Sequence, residues 1–194
     1  MAGLPHGAYH MADNPHLYEP QRNNTFEFIV TDIDGIMRAG ANGSEKNAYF
    51  KNAQEVLRMS VTDSFIPHFT QQVVEVKRGN TTIKYAGVPT FGEGQLKFND
   101  YIGAEVKDIL KAWQNLSCNI STEKVGALAR SPYKKTCYLI EYAPDYVPVR
   151  TWKIYGCWIS GLSESGYTSE NGEKHQIECT IQYDRAEIDL SELV

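Results

Sequence analysis

The sequence predicts a mainly β protein, a β-sandwich or barrel that carries one amphipathic helix. Three observations support this fold class. Short apolar runs of strand length recur between turn residues, the last run alternates apolar and polar residues, and one stretch has the 3.6-residue period of a helix. A chain of 194 residues can bury a core without disulfides or a structural metal. We therefore expect a single β domain.

The strands before the last follow from apolar runs bounded by Gly, Asn and Pro. Arg78-Gly79-Asn80 separates two of them at a spacing typical of a β-hairpin, because this turn needs a permissive backbone. Gly92 and Gly94 lie in the predicted strand that follows the hairpin and weaken its strand propensity. The predicted strands are, in order, 26–30, 73–77, 81–85, 91–98, 138–142 and 152–159.

The last predicted strand, 175–183, has the clearest pattern. Its alternation places one set of side chains toward the core and the other toward solvent. The inward set is His175, Ile177, Cys179, Ile181 and Tyr183, and it alternates with Gln176, Glu178, Thr180 and Gln182. His175 lies at the edge of the strand, and we interpret it as a structural residue.

One amphipathic helix is predicted after residue 99. Asn99 or Asp100 can cap its start, and its apolar residues fall on one face of a 3.6-residue period. These residues are Ile102, Val106, Ile109, Leu110, Trp113 and Leu116. We expect this face to cover one side or one opening of the sheets.

Charge and hydropathy exclude several functional classes. The net charge of −5 makes the chain a poor candidate for a nucleic-acid-binding protein, since phosphate contacts need clustered Lys and Arg. No apolar run reaches the length of a membrane span, and the N-terminus lacks the pattern of a secretory signal. Residues 1–70, 71–135 and 136–194 carry net charges of −3, +4 and −6. Opposite-sign regions favour head-to-tail self-association, and solvated faces that differ in charge explain the pattern equally well.

The four cysteines, Cys118, Cys137, Cys157 and Cys179, match no zinc spacing. Three of them lie in strand-like runs, where a free cysteine usually serves as a small buried hydrophobe. We interpret the cysteines as reduced core thiols. Residues 1–24 contain three His and three Pro with little apolar periodicity, so we expect an extended N-terminal arm followed by one domain over 25–194.

One motif suggests catalysis. The apolar run 28–30 leads into Asp32-Ile33-Asp34-Gly35, which looks like the first motif of haloacid-dehalogenase-type phosphatases. In that chemistry the first Asp attacks phosphorus and the second acts as acid and base beside Mg²⁺. A second acidic cluster and an alternating strand–helix pattern are both missing from the sequence. A strand that ends in an Asp-rich turn is the simpler interpretation.

Several stretches together resemble the tail tube proteins of contractile-tailed bacteriophages. They include 18–26 near the start, 101–110 in the predicted helix, Tyr146-Val147-Pro148, 152–158 and Ile181-Gln182-Tyr183-Asp184-Arg185. The similarity covers about residues 17–188, and it rests on the order of these stretches. Thr31 to Gly43, with three glycines, departs from a compact tube protein.

The resemblance implies a β-sandwich related to type VI secretion tube proteins. It also implies hexameric rings whose subunits complete an inner β-barrel and stack into a hollow tube. The expected function is that of the major tail tube subunit, which conducts DNA during genome ejection. The expected partners are further copies of the chain, the tail sheath, and the baseplate and tail-terminator proteins, within the virion tail assembled in the host cytoplasm. The alternative is a tube protein of a bacterial contractile injection or type VI secretion system.

Site candidates follow from the predicted arm, the glycine-rich loop and the polar strand faces. The interface candidates are Tyr18, Glu19, Arg22, Asn23, Asp32, Asp34 and Arg38. The lumen candidates are Glu75, Lys77, Gln176, Glu178 and Gln182. A polar, mildly acidic lumen would let DNA slide, whereas a basic lumen would hold it. We expect no catalytic residue, no metal and no cofactor.

Overall fold

A computed structural model describes residues 20–36, 50–103, 105–126, 128, 132–167 and 172–189. Over these ranges the chain forms eleven strands and two helices, which confirms the mainly β class. In chain order the elements are β1 (Phe26–Val30), α1 (Ala53–Ser60), β2 (Val61–Asp63), β3 (Phe69–Arg78), β4 (Thr81–Phe91), β5 (Glu93–Asn99), α2 (Val106–Ser117), β6 (Cys118–Asn119), β7 (Lys124–Val125), β8 (Lys135–Tyr142), β9 (Pro148–Glu164), β10 (Gln176–Gln182) and β11 (Arg185–Asp189). In these ranges no helix is both long enough and apolar enough to cross a membrane.

The main sheet is antiparallel and has the strand order β1-β8-β9-β10-β5-β2, with β11 also paired to β9. Its two edge strands, β1 and β2, line common grooves, so the sheet curls until its edges face each other. β3 and β4 form a separate two-stranded ribbon, and β6 and β7 form a second, very short one.

The long strand β9 belongs to both halves of the sheet, one formed with β1, β8 and β11 and the other with β10, β5 and β2. Its first part pairs with β8 and β11, and its last part pairs with β10. Gly156 has a φ of +69° in this strand, and a bulge opposite Thr180 leaves Ser160 outside the ladder. The Ser160 hydroxyl donates to the Thr180 carbonyl at 3.2 Å. These irregularities let one strand turn from one half of the sheet into the other.

The core lies between α2 and the inner face of the sheet. The buried face of α2 comprises Val106, Ile109, Leu110, Ala112 and Trp113. Trp113 is almost fully buried, and its indole N–H donates to the Tyr133 carbonyl at 2.9 Å. Across the core, the predicted alternation of β10 is confirmed, since Ile177, Cys179 and Ile181 are buried.

All four cysteines are free thiols, and three of them are buried in this core. Burial raises the pKa of the Cys137 and Cys179 thiols, so both stay protonated at neutral pH. The prediction was wrong for Cys118, which is exposed. It lies in β6 at the end of α2, outside the main sheet.

The helix prediction was right for the apolar face and wrong for the start. α2 begins at Val106, so neither Asn99 nor Asp100 caps it, and Ile102 is fully exposed. Gly103 at φ +87° and Glu105 at φ +54° place left-handed backbone just before the helix, which prevents helical geometry there. The short helix α1 and the strand β11 were not predicted.

Candidate assembly surfaces

β3 and β4 form a ribbon that pairs with no other strand among the described residues. Ten residues at about 3.4 Å each give β3 a length of about 34 Å. Every residue of β3 is exposed. The predicted hairpin 73–85 is therefore confirmed and extends further at its root.

The cross-strand register gives this ribbon two different faces. On one face Val74 lies opposite Tyr85 and Val76 opposite Ile83, and these four side chains are 37–47% exposed. On the other face Glu75 lies opposite Lys84 and Lys77 opposite Thr82. We call Val74, Val76, Ile83 and Tyr85 the apolar ribbon face. An apolar stripe on a projecting ribbon is typical of a surface that another protein covers.

The lumen candidates Glu75 and Lys77 lie together on the opposite, polar ribbon face. The Glu75 carboxylate is 3.4 Å from the Lys84 ammonium, and both side chains are largely exposed. Such an exposed pair contributes little to stability. This face also carries Val73 opposite Ala86, and its single carboxylate lies next to a cation.

An aromatic cluster fixes the root of the ribbon to the main sheet. Phe69 and Phe91 pair with ring centroids 5.8 Å apart, and Phe91 in turn lies 5.9 Å from Tyr183. The Tyr183 hydroxyl donates to the His68 carbonyl at 3.1 Å and accepts the His68 N–H at 3.2 Å. Phe65 stacks on Tyr183 at 5.6 Å. Packed rings with a shared hydroxyl set the direction in which the ribbon projects.

The lumen candidates on β10 belong to a ladder of polar pairs with β5. Lys97 and Glu178 form an ion pair at 2.9 Å, and Glu178 raises the pKa of the Lys97 ammonium. The remaining pairs are Gln182–Glu93 at 3.0 Å, Thr180–Gln95 at 3.2 Å and Gln176–Asn99 at 3.4 Å. Each polar group on this face has a partner across the strands, so the face presents no row of free cations.

The interface candidates Arg22 and Asn23 line a groove of about 710 Å³ between the two sheet edges. Val61, Phe65 and Ile66 form its apolar wall. Gln21 donates from its side-chain amide to the Tyr142 carbonyl at 2.6 Å and holds the chain along the groove. Tyr18, Glu19 and Arg38 lie outside the described residues.

Asp34 has a local role at the start of α1. Its Oδ1 accepts the backbone N–H of Gln54 at 2.9 Å, in the first turn of α1. This bond satisfies one of the free N–H groups that every helix has at its start. Asp32 has a φ of +57°, and its carbonyl oxygen accepts a bond from the Lys135 ammonium at 2.7 Å.

This arrangement does not favour the phosphatase hypothesis. The carboxylate of Asp34 is engaged at a helix start, and the main sheet is antiparallel rather than the parallel sheet that the motif requires. In the described ranges no three His, Cys, Asp or Glu side chains are grouped so as to hold a metal ion. The Asp-rich turn therefore connects β1 to α1.

Sequence reasoning missed the apolar ribbon face. The signal was present, because Val74, Val76, Ile83 and Tyr85 alternate with polar residues on both arms of the hairpin. Alternation shows that one face is apolar. It does not show whether that face meets the chain's own core or another molecule.

No protein-family model matches this chain, and no curated protein matches it in sequence. Solved structures do match it in fold. A chain of the sheath/tube terminator of an extracellular contractile injection system, PVC, in its extended state is 15% identical with a TM-score of 0.61, over 89% of this chain and 99% of that chain.

Two further assemblies contain chains of this fold. A chain of the tube-terminating cap of the anti-feeding prophage is 13% identical with a TM-score of 0.59, over 88% of this chain and 91% of that chain. A chain of the PVC sheath–tube complex is 16% identical with a TM-score of 0.57, over 89% and 93%. The chain therefore has the fold of tube and cap proteins of contractile injection systems.

Proposed function

We propose that this chain is the tube subunit of a contractile tail, in which six copies form a ring and rings stack into a hollow tube. The main support for the proposal is the projecting ribbon β3–β4 with its exposed apolar face. The shared fold with chains of contractile injection systems supports the same function. No catalytic residue or cofactor has a role in it.

The ribbon gives a physical reason for a ring. Val74, Val76, Ile83 and Tyr85 gain free energy when a neighbouring copy covers them, at about 25 cal/mol for each Å² of apolar surface removed from water. The unpaired edges of β3 and β4 also favour pairing with further strands. Closing a barrel across subunits satisfies both requirements, because a closed barrel has no edges.

In the proposed ring the polar ribbon face and the β5–β10 ladder line the lumen. Glu75 and Lys77 come from the ribbon, and Gln176, Glu178 and Gln182 come from β10. The carboxylates of Glu75 and Glu178 are paired with Lys84 and Lys97 within the subunit. DNA phosphates then meet no free row of cations, so counterion release does not hold the DNA during ejection.

The remaining partners are the tail sheath, the baseplate and the tail terminator, in a virion tail assembled in the host cytoplasm. Tyr18, Glu19, Arg22 and Asn23 are proposed as contacts to a neighbouring subunit. The segment that contains Asp32, Asp34 and Arg38 is proposed as a contact to an adjacent ring or to the sheath. Stacking is a head-to-tail contact, which propagates as an open filament.

A tube of an injection machine with protein cargo is the second candidate. The assemblies that share this fold with TM-scores of 0.57 to 0.61 are extracellular injection systems or the anti-feeding prophage. The content of purified extended particles separates the two candidates. Nuclease-protected DNA favours the phage tail, and protein without DNA favours the injection machine.

The assembly proposal is tested by electron microscopy of the purified chain at increasing concentration, alone and with co-expressed neighbouring genes. We expect hollow rings or tubes. The double variant Val76→Glu/Ile83→Glu should stay folded by circular dichroism and lose assembly, because it places carboxylates on the apolar ribbon face. The matched control Lys77→Glu/Thr82→Glu changes the polar ribbon face and should still assemble.

Dispersed monomers of the wild-type chain under every condition would overturn the proposal. Normal tubes from the Val76→Glu/Ile83→Glu variant would show that the apolar ribbon face does not hold the ring together.

A further inference from the structure

The groove between the sheet edges is built from two connected depressions. Asn24, Thr25, Phe26 and Val61 line both, and the second depression adds Met59 and Tyr146, which are 71% and 78% exposed. Volumes of about 710 and 490 Å³ are within the range of pockets that bury ligands. A groove of this size and lining has room for a chain segment with apolar side chains.

The edge strand β1 offers backbone groups to such a segment. In the described part of the chain β1 pairs only with β8. The Thr25 carbonyl accepts the Tyr142 N–H, and the Thr31 N–H donates to the Thr136 carbonyl, so the odd-numbered residues face β8. Antiparallel alternation therefore turns the N–H and C=O of Phe26 away from β8 and toward the groove.

The described part of the chain begins at this groove. Pro20 is the first described residue, and Gln21 and Arg22 already form part of the groove wall. The residue before a proline favours extended backbone, which suits an added strand. Nineteen extended residues span up to about 65 Å. A compact chain of 194 residues has a radius of gyration of only about 16 Å, so an extended segment of nineteen residues can reach a neighbouring copy.

We propose that residues 1–19 of a neighbouring copy lie in this groove as an added strand beside β1. This inference rests on the proposed function, because it requires a neighbour in a ring or a stack. Leu17 and Tyr18 place apolar side chains against the wall formed by Phe65 and Ile66. Main-chain bonds to the strand edge supply affinity, and alternate side chains supply specificity.

Charge also suits this occupant. Arg22 makes no ion pair within the described residues, and it lines the groove. Glu19 and Asp13 make the incoming segment acidic at neutral pH. Arg22 therefore offers a cation to a segment that carries carboxylates.

The test is a cysteine cross-link between copies in the full chain. A Cys118→Ser background removes the exposed thiol, while the other three cysteines stay buried. Leu17→Cys and Ile66→Cys are made as separate variants, mixed under assembly conditions and oxidised with diamide. Ile66 is 63% exposed, so its replacement leaves the fold intact. The control pairs Leu17→Cys with Val125→Cys, a position that is 79% exposed on β7, away from the groove.

We expect at least tenfold more Leu17–Ile66 disulfide-linked dimer than control dimer, with the linked peptides identified by mass spectrometry. Tubes that form without this cross-link would overturn the inference and leave the proposed function intact. A link found only within one chain, in a Leu17→Cys/Ile66→Cys double variant, would also overturn it, because the segment would then fill its own groove. Monomers without any cross-link would overturn both.

Discussion

Asp34 stabilises the start of α1, because its carboxylate accepts the backbone N–H of Gln54 from outside the helical segment. Asp34→Ala leaves the Gln54 N–H without this acceptor, and loss of such a cap costs about 1 kcal/mol. We expect the midpoint of thermal unfolding to fall by about 2–4 °C. The control Asp32→Asn keeps a residue that tolerates a φ of +57° and should leave the midpoint unchanged. Equal thermal midpoints for Asp34→Ala and the wild-type chain would show that the Asp34 carboxylate does not stabilise the start of α1.

Gly156 lies where a side chain has no room. Its φ is +69°, and a Cβ atom there would stand 2.1 Å from Oδ2 of Asp184, which also pairs with Lys134 at 2.7 Å. Gly156→Ala should therefore destabilise the chain by about 2 kcal/mol or more in urea unfolding. Gly166 has open space around its Cβ position, so Gly166→Ala should change stability by less than about 1 kcal/mol. Similar losses for the two variants would contradict this explanation.

At the scale of elements, ion pairs fasten α2 to the end of β9. Glu164 pairs with Lys107 and, at 3.2 Å, with Lys111. Lys107 is the main cause of the lowered pKa of the Glu164 carboxyl. A lowered pKa means that the stabilisation is present above the ordinary value of 4.5 and is lost as the pH falls through the folded value.

Glu164→Gln should consequently lower the thermal midpoint near pH 7 by about 1–3 °C. The difference from the wild-type chain should shrink below about pH 4, because the wild-type carboxyl is then protonated too. Glu55→Gln on α1 serves as the control. A difference that is the same near pH 7 and near pH 3 would show that the side chain acts through packing rather than charge.

The elements differ in how far the sequence predicts them. The hairpin and β10 were predicted because turn residues and strict alternation are local signals. α1 was missed because its eight residues include Gln54, Glu55 and Arg58, and only Ala53, Leu57 and Ser60 are buried. Ile102 was placed on the helix because periodicity alone does not report the left-handed backbone at Gly103 and Glu105. That backbone depends on packing between distant segments.

At the scale of the whole molecule, the candidate site was harder to predict than the fold. The polar residues of β10 were identified by alternation, but their pairing with Lys97, Gln95 and Glu93 depends on the register between two distant strands. The groove lies between β1 and β2, which the curled sheet brings close together. No local sequence pattern indicates that these two strands are neighbours. The apolar ribbon face looks like an ordinary core face until the partner strands are known.

The proposed lumen leads to a prediction about DNA retention. Gln176→Lys/Glu178→Lys/Gln182→Lys adds four positive charges to the β10 face, and tubes of this variant should retain nuclease-protected short DNA present during assembly. Raising the salt concentration should release it, because counterion release drives the binding. Glu55→Lys/Glu123→Lys adds the same charge elsewhere and should protect no DNA. Equal protection by both variants would place the β10 face outside the lumen.

The membership of β9 in both halves of the sheet has a thermodynamic consequence. The first part of this seventeen-residue strand holds β8 and β11 on its two opposite edges, and its last part holds β10, so neither half of the sheet stays folded without this strand. The two halves therefore unfold as one cooperative unit, whereas the ribbon β3–β4 can open separately without exposing most of the core. A subunit built in this way keeps a rigid body while its binding element adapts to a neighbour.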